Sequence, residues 1–302
     1  NGGNGLWQIP ITIETNKHEM DPSLLTNRSA KVALNTTEVS YFLINSNFDN
    51  YYRVLYDEES FGMIESEFMN IGQVNQYNIL SDRFALVMNN YVDTKKYLFF
   101  FKHVLDNSTD QAKAHPEQIS YLMWSELIAN ALAIDDLFCE YGYPNDYLTE
   151  TSDTKNDSKI LTSFRNFTMG YLRTLYDIVG GYNSTVMADN NNVTNLRPQV
   201  ILALIQMGDS SAIHEGEYLY NTQVLRDNGN NYSLSLLDPN LITCVLSAAL
   251  ATNNEDYYNQ ITGPLYQSVD STQQDYVLSS LGALYEDQDL LTKGYIFFFF
   301  NK

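Results

Sequence analysis

The spacing of apolar residues changes near Asp57, and this change limits what the chain can fold into. Before it the pattern alternates: Trp7, Ile9, Ile11 and Ile13 fall on one side of a period of two, as on a half-buried strand. Asp21-Pro22 marks a turn, and Val39 to Ile44 is β-branched and aromatic. Tyr51 to Tyr56 is a further strand-like run after the turn-forming Asn47-Phe48-Asp49-Asn50. A sheet this small needs more strands or a partner to be stable. After Asp57 the period approaches 3.6 residues, the repeat of a helix face. Tyr77, Leu80, Phe84, Val87 and Tyr91 share one such face. Pro116, at a favourable first-turn position, opens a helix with the stripe Ile119, Met123, Leu127, Ala131, Ile134 and Phe138, stopped by Gly142. Leu161, Phe164, Leu172, Leu175 and Val179 form the next stripe, ended by Gly180-Gly181.

The polar, Asn-rich stretch from Asn183 to Asn195 reads as an exposed loop. Beyond it, helices open at Arg197-Pro198, Asp238-Pro239 and Ser271 and run to Gly208, Asn253 and Glu286. This recurrence of roughly 35–40 residues is near the period of helical-pair repeats. The residues themselves do not repeat, so the argument is one of structural period alone. The resulting expectation is a mainly α chain: a HEAT/armadillo-like stack of helical pairs curved into a superhelical bowl, preceded by a small, partial β-sandwich module. The module is assigned to residues 1–56 and the all-helical domain to 57–302. The run Phe297-Phe298-Phe299-Phe300 is expected to be the buried end of a helix or strand.

Hydrophobic residues make up 44% of the 302, enough for a packed core. The net charge of -20 repels phosphate backbones and argues against a nucleic-acid partner. It suits either an acidic soluble surface or an acidic chamber that attracts peptide amino termini. Cys139 and Cys244 are too few for a zinc ribbon or a disulfide framework. One bridge or two buried thiols remain, and their apolar helical settings favour buried thiols. The longest apolar run, Tyr295 to Phe300, is far short of the ~20 residues of a membrane span, so no span is expected. Asn1-Gly2-Gly3-Asn4-Gly5 has neither the charged nor the apolar region of a signal peptide, and any targeting signal is expected upstream. Eight Asn-x-Ser/Thr sequons occur, at Asn27, Asn35, Asn107, Asn156, Asn166, Asn183, Asn192 and Asn231. This modest excess favours an extracellular, cell-surface or secretory-lumen glycoprotein. Asn183 and Asn192 are the preferred acceptors because their loop is expected to be exposed.

Three stretches carry a family resemblance. Trp7-Gln8-Ile9-Pro10-Ile11, Phe42-Leu43-Ile44-Asn45 and Tyr51-Tyr52-Arg53-Val54-Leu55-Tyr56-Asp57 follow one another. The combination resembles the end of the β-sandwich and the entry to the helical region in zinc aminopeptidases of the aminopeptidase N and endoplasmic-reticulum aminopeptidase type. Those proteins have Gly-Tyr-Tyr-Arg-Val-x-Tyr-Asp here. Asn50 stands at the Gly position, where tolerance of positive φ would preserve the turn. The family's Arg-x-x-Ile/Leu-x-x-Asp-x-Phe-x-Leu on the first long helix is matched by Ile79, Leu80, Asp82, Phe84 and Leu86, with Gln76 in place of Arg. Leu196-Arg197, leading to Gly208, is similar to a later helix start.

The resemblance spans residues 6 to 290 and implies the non-catalytic C-terminal region of such an enzyme. The helical bowl would cap the catalytic domain, shape a peptide chamber and, as in several members, carry a homodimer contact. The implied partners are the N-terminal and catalytic domains of the same enzyme, and peptides. Zinc would belong to the parent's catalytic domain, with no cofactor in this chain. A sandwich entered this late in the family pattern would lack its first strands, leaving the strand from Trp7 with an unpaired edge. Arg53 is placed either to anchor a substrate carboxylate or to tie the sandwich to the first helix, through Asp57 or a backbone carbonyl. The alternative is a free-standing helical-repeat scaffold, or an ectodomain docking surface, without peptidase activity.

Chemistry of the chain's own is not expected. A zinc peptidase site needs two His one helical turn apart with a Glu beside them, His-Glu-x-x-His. The four His are His18, His103, His115 and His214, and none is four residues from another. Gly62-Met63-Ile64-Glu65 does not complete the family's Gly-x-Met-Glu-Asn motif. His214-Glu215-Gly216-Glu217 reads as a solvated helix start, and Asp135-Asp136 as two solvated carboxylates on a helix surface. Glu286-Asp287-Gln288-Asp289 lacks the Gly and terminal Glu of a calcium loop.

Overall fold

Three-residue strands and long helices divide the chain near the position where the period changes. The structure is a computed structural model that describes residues 7–34, 39–142, 154–227, 231–284 and 288–301. These pack as two units, Asn1–Asp110 with Leu122–Asn130, and Gln111–Tyr121 with Ala131–Lys302. The fold is mainly α with a small β module at its start.

In the first unit, β1 (Ile9–Ile11) pairs antiparallel with β3 (Ser23–Leu25), Ile9 opposite Leu25. β2 (Ile13–Thr15) pairs with β4 (Phe42–Ile44), Ile13 opposite Ile44. The single strand expected from Trp7 to Thr15 is therefore two. They are separated at Thr12, which is buried next to the buried Ile13, so the alternation slips there. Trp7 consequently remains 85% exposed instead of joining the apolar face. Each ladder has two strands; on its other side β2 makes a single bridge, Glu14 to Glu19, and the other strands have no second ladder partner among the described residues.

Tyr51 to Tyr56 is not a strand. Tyr52, Val54 and Tyr56 are half-buried and the residues between them exposed, so the alternation seen in the sequence is real. What is missing is a strand alongside: side chains satisfy this backbone instead, as described below. Asn50 does not take the left-handed backbone expected of it. That conformation belongs to Asn45 (φ 62), Asn47 (φ 58) and Phe48 (φ 59).

Asp57 ends the extended segment and caps α1 (Glu58–Glu67). Its carboxylate accepts Ser60 N–H at 2.9 Å and Ser60 O–H at 2.8 Å, which hold its pKa below the usual carboxylate value. Then follow α2 (Gln73–Met88), α3 (Thr94–Ala114) and α4 (Tyr121–Gly142). Pro116 does not open the last of these: it starts a 3-10 turn, Pro116–Gln118, and α4 begins at Tyr121. The stripe expected there is otherwise buried, from Ile119 to Ile134. The aromatic core includes Phe100, whose ring meets Phe61 at 5.0 Å and Phe68 at 5.5 Å, both edge-on.

The second unit contains α5 (Thr154–Val179), α6 (Asn191–Gln206), α7 (Ser210–Gln223), and a hairpin of β5 (Leu225–Asp227) and β6 (Asn231–Ser233). α8 (Ile242–Leu250) follows. Then α9 (Glu255–Gln260) runs through a π turn, Ile261–Leu265, into the one-turn α10 (Tyr266–Ser268). α11 (Ser271–Ser280) and α12 (Gln288–Asn301) complete it. α8 is the centre of this core: from Cys244 to Leu250 every residue is buried, as befits a helix apolar on all sides. It packs on α6, α7 and α11. Gly216 permits the α7 approach, because a Cβ there would overlap the Ala248 methyl and the Tyr182 hydroxyl.

Three sequence expectations shift here. The loop expected to reach Asn195 ends at Asn190, which caps α6 by accepting the N–H of Asn192 at 3.0 Å. Arg197-Pro198 accordingly lies inside α6. Arg197 is buried and points its donors at the end of α5 and the following turn: Nε donates to Val179 O at 2.8 Å, Nη1 to Ser184 O at 3.3 Å and Nη2 to Val186 O. At the end of the chain the four Phe are not uniformly buried. Phe297 and Phe298 are half-buried against the core, whereas Phe299 is 78% and Phe300 84% exposed, because a helix turns successive residues to different sides. Of the expected acidic run Glu286-Asp287-Gln288-Asp289, the first two residues lie outside the described residues.

Candidate functional site

The residues that carry the family motif converge in the first unit, where α2 meets the extended segment after β4. Asp82 projects from α2 and is buried. One carboxylate oxygen accepts the backbone N–H of Val54 at 2.9 Å, and the other accepts Arg53 Nη1 at 3.0 Å. Arg53 Nη1 also reaches the carbonyl of Ser81 at 3.2 Å. Thus the side chain expected to meet Asp57 or a backbone carbonyl meets a carbonyl and Asp82, while Asp57 is committed to its helix cap.

Two further α2 residues do the same one and two turns earlier. Asn78 donates to Asn45 O at 3.3 Å, and Asn75 accepts the N–H of Asn47 at 2.7 Å. Positions 75, 78 and 82 are spaced three and four apart, so they lie on one helix face. That face grips main-chain groups of the β4 end, the left-handed turn and the extended segment in succession. Asn75 also donates to Glu14 Oε2 at 2.8 Å, which Ser46 Oγ approaches at 2.5 Å. Asn45 completes the joint by accepting the N–H of Asn50 at 2.9 Å and donating to Asn50 O at 2.9 Å and Tyr52 O at 3.0 Å. The Ile44 N–H donates to the Tyr56 hydroxyl at 2.8 Å, and burial raises the pKa of that phenol.

Burial also raises the Asp82 pKa, opposed by the Val54 N–H and by Arg53. The Arg53 side chain is 51% exposed and its charge is screened by water, so burial dominates although the pair is close. Glu126 of α4 stands near the same guanidinium. Its pKa is raised by burial and pulled back by the Ser81 hydroxyl and the Arg53 charge. Behind the joint, the buried Arg83 guanidinium lies 3.8 Å from the Phe61 ring centroid. Gln76, at the family's Arg position, donates to Phe68 O at 2.9 Å and so needs no charge partner.

The other motif residues contribute differently. Trp7, Pro10 and Tyr51 are exposed, and Pro10 lies opposite Leu24 in the first ladder. Tyr52 is half-buried, and the Phe84 ring lies 5.6 Å from that of Tyr97. In the second unit a cleft of about 170 Å³ is lined by Arg173, Tyr176, Asp177, Asp209 and Glu215 among others. Four of its polar groups are already paired: Arg173 Nε donates to Asp209, and Tyr176 O–H to Glu215 at 2.5 Å.

His18, His103, His115 and His214 are all exposed, and no cluster of three His, Cys, Asp or Glu that could hold an ion occurs among the described residues. His214 sits in the second turn of α7, not at its start, 3.8 Å from Glu217. Asp135 is not solvated: it is buried and accepts both Arg165 Nε and Nη2 at 2.8 Å. Cys244 is a buried free thiol whose pKa burial pushes up to about 12, whereas the Cys139 side chain lies outside the described residues. No described helix is long and apolar enough to cross a membrane.

The first unit thus joins a small β module to its first long helix through an Arg–Asp pair and an Asn-rich turn. The profile of the ERAP1-like C-terminal domain family matches residues 41–301, and the chain belongs to that family. Among similar proteins, Tricorn protease-interacting factor F2 of Thermoplasma acidophilum is 26% identical over 106 residues, 35% of this chain and 12% of that protein. The protein of the same name from Thermoplasma volcanium is 25% identical over 105 residues, again 35% and 12%. Aminopeptidase N of Homo sapiens is 32% identical over 88 residues, 28% of this chain and 9% of that protein. The matched segments thus span about a tenth of these relatives.

Proposed function

We propose that this chain is the non-catalytic C-terminal region of a zinc aminopeptidase, covering the catalytic domain and limiting which peptides reach it. The observation that carries this reading is the family match over residues 41–301, supported by a sequence in which no two His are four residues apart. The zinc and the water it activates belong to the parent's catalytic domain. Holding a peptide in one pose and controlling bulk water are tasks a covering domain can perform. The modest excess of sequons supports a parent in the secretory pathway or outside the cell.

Within it, Arg53 is a positioning residue. Its guanidinium is already paired with the buried Asp82 carboxylate, which competes with any peptide carboxylate arriving there. The test is to assay the parent enzyme with and without this region, at fixed zinc, on long peptides and on a small chromogenic aminoacyl amide. The expected result is a change in peptide-length preference larger than the change on the small amide. Equal effects on both would remove the chamber role. Metal-dependent hydrolysis by the purified chain alone, with contaminating peptidase excluded, would overturn the non-catalytic assignment.

A further inference from the structure

The eight sequons are equivalent as text, and the structure separates four of them. Recognition of Asn-x-Ser/Thr reads an amide and a hydroxyl two residues apart, so both must be presented on one side of the backbone. In a helix, residues two apart point roughly 200° away from each other. Asn107 and Asn166 sit inside α3 and α5, and their hydroxyl partners Thr109 and Thr168 are buried. The Asn107 amide nitrogen is moreover spent on His103 O at 2.8 Å. Asn192 is in the first turn of α6, where the Thr194 hydroxyl turns away and donates to Asn191 O at 3.2 Å. At Asn192 the hydroxyl is thus turned from the amide, which sets it apart from Asn183, the other acceptor preferred in the sequence.

Asn183 is different. It lies in the exposed turn after Gly180-Gly181, and Thr185 is exposed with it. The Asn183 side-chain oxygen accepts the Thr185 hydroxyl at 2.7 Å and the Thr185 N–H at 3.2 Å. Amide and hydroxyl are thus already adjacent, and the Asn183 Nδ2 makes no hydrogen bond among the described residues. The backbone beneath is held by Arg197 through Ser184 O and Val186 O, so the turn is presented on a fixed support.

We infer that Asn183 is an N-glycosylation site, the acceptor for a lipid-diphosphate-linked oligosaccharide. In the transfer, Nδ2 forms a bond to C1 of the first sugar. The bond from C1 to the phosphate oxygen breaks, its electron pair leaves with the lipid diphosphate, and Nδ2 loses one proton to a base. The inference rests on the secretory reading above.

The test is site-by-site occupancy in the full-length protein purified from its natural source. Enzymatic deglycosylation in ¹⁸O water marks each formerly occupied Asn as a labelled Asp for peptide mapping. Asn183 should be labelled, and Asn107 and Asn166 should not. A labelled Asn27, which lies in an exposed bend, together with a bare Asn183 would overturn the site while leaving the secretory reading intact. Bare Asn at every sequon would overturn both. As a second measurement in a secretory host, Thr185→Val should remove one glycan's mass and Thr185→Ser should retain it. Unchanged mass in a folded Thr185→Val protein would also refute the assignment.

Discussion

Replacing Asp82 by Ala removes the one side chain that satisfies both Val54 N–H and Arg53 Nη1. The two losses are unequal. Arg53 is half-exposed and turns to water, so the ion pair accounts for about 0–1 kcal/mol. Val54 N–H loses an ionised acceptor on a half-buried segment with no neighbouring strand, a loss of about 1.5–3 kcal/mol. Recovered hydration of a carboxylate that burial disfavours offsets part of this, leaving a net destabilisation of about 2 kcal/mol. Asp82→Asn keeps a carbonyl oxygen for Val54 and should cost about half as much, and Arg53→Met should cost under ~1 kcal/mol. Urea unfolding followed by circular dichroism gives the three values. Hydrogen exchange locates the damage: Val54 and its neighbours should exchange faster in Asp82→Ala while the α8 core is unchanged. The reasoning fails if Asp82→Ala matches the parent within ~0.5 kcal/mol, or if Arg53→Met is as harmful as Asp82→Ala.

Gly216→Ala should destabilise the second unit by about 1–2 kcal/mol despite a better helix former, since the new methyl overlaps Ala248 and Tyr182. Ala248→Gly in the same chain should restore part of the loss in thermal unfolding, and a stabilised single variant would refute the close α7–α8 approach. Cys244 should resist alkylation in the folded chain at pH 8 and react on unfolding, because the buried thiol keeps its proton. Its folded pKa of about 12 exceeds the unfolded 9.0, so its contribution to stability is complete below pH 9.0 and lost as pH rises through about 12. In that window stability should fall by up to ~1.4 kcal/mol per pH unit, and Cys244→Ala should flatten the slope.

Much of the helical architecture is legible in the sequence because apolar stripes and Gly stops are local signals. Leu172, Leu175 and Val179 are buried as the period requires, and Gly180 and Gly181 both take positive φ at the end of α5. α3 carries an equally plain stripe, with Tyr97, Phe100, Phe101, Val104 and Leu105 all buried, but the stripes read from the sequence passed over it. The face read for α2 is only part of its buried side, since Leu80 and Val87 are buried as the period requires. Its buried side includes Asn75, Gln76, Asn78, Asp82 and Arg83, while Tyr77 and Phe84 are only half-buried and Tyr91 is exposed beyond the helix end. A hydrophobic period cannot find a buried polar face, because the energy there comes from specific hydrogen bonds that composition does not report.

The candidate site shows the same limit from the other direction. Alternation in Tyr51 to Tyr56 suggested a strand, and the alternation holds, yet the segment's backbone is met by Asp82 and Asn45 side chains rather than by a ladder. Main-chain groups demand partners but do not specify whether those come from another strand or from side chains. A partial clue is the spacing of Asn75, Asn78 and Asp82, three polar side chains on one face of a helix in a chain that carries an Asn-rich turn at 45–50. Polar residues at such spacing on an exposed face would be solvated, whereas these three are buried and matched one for one to Asn47 N–H, Asn45 O and Val54 N–H. A joint of this kind gains little from burial and much from register, since sliding α2 by one residue would leave all three main-chain groups without partners. That dependence on register makes Asp82 and, through it, Arg53 positioning residues for the joint.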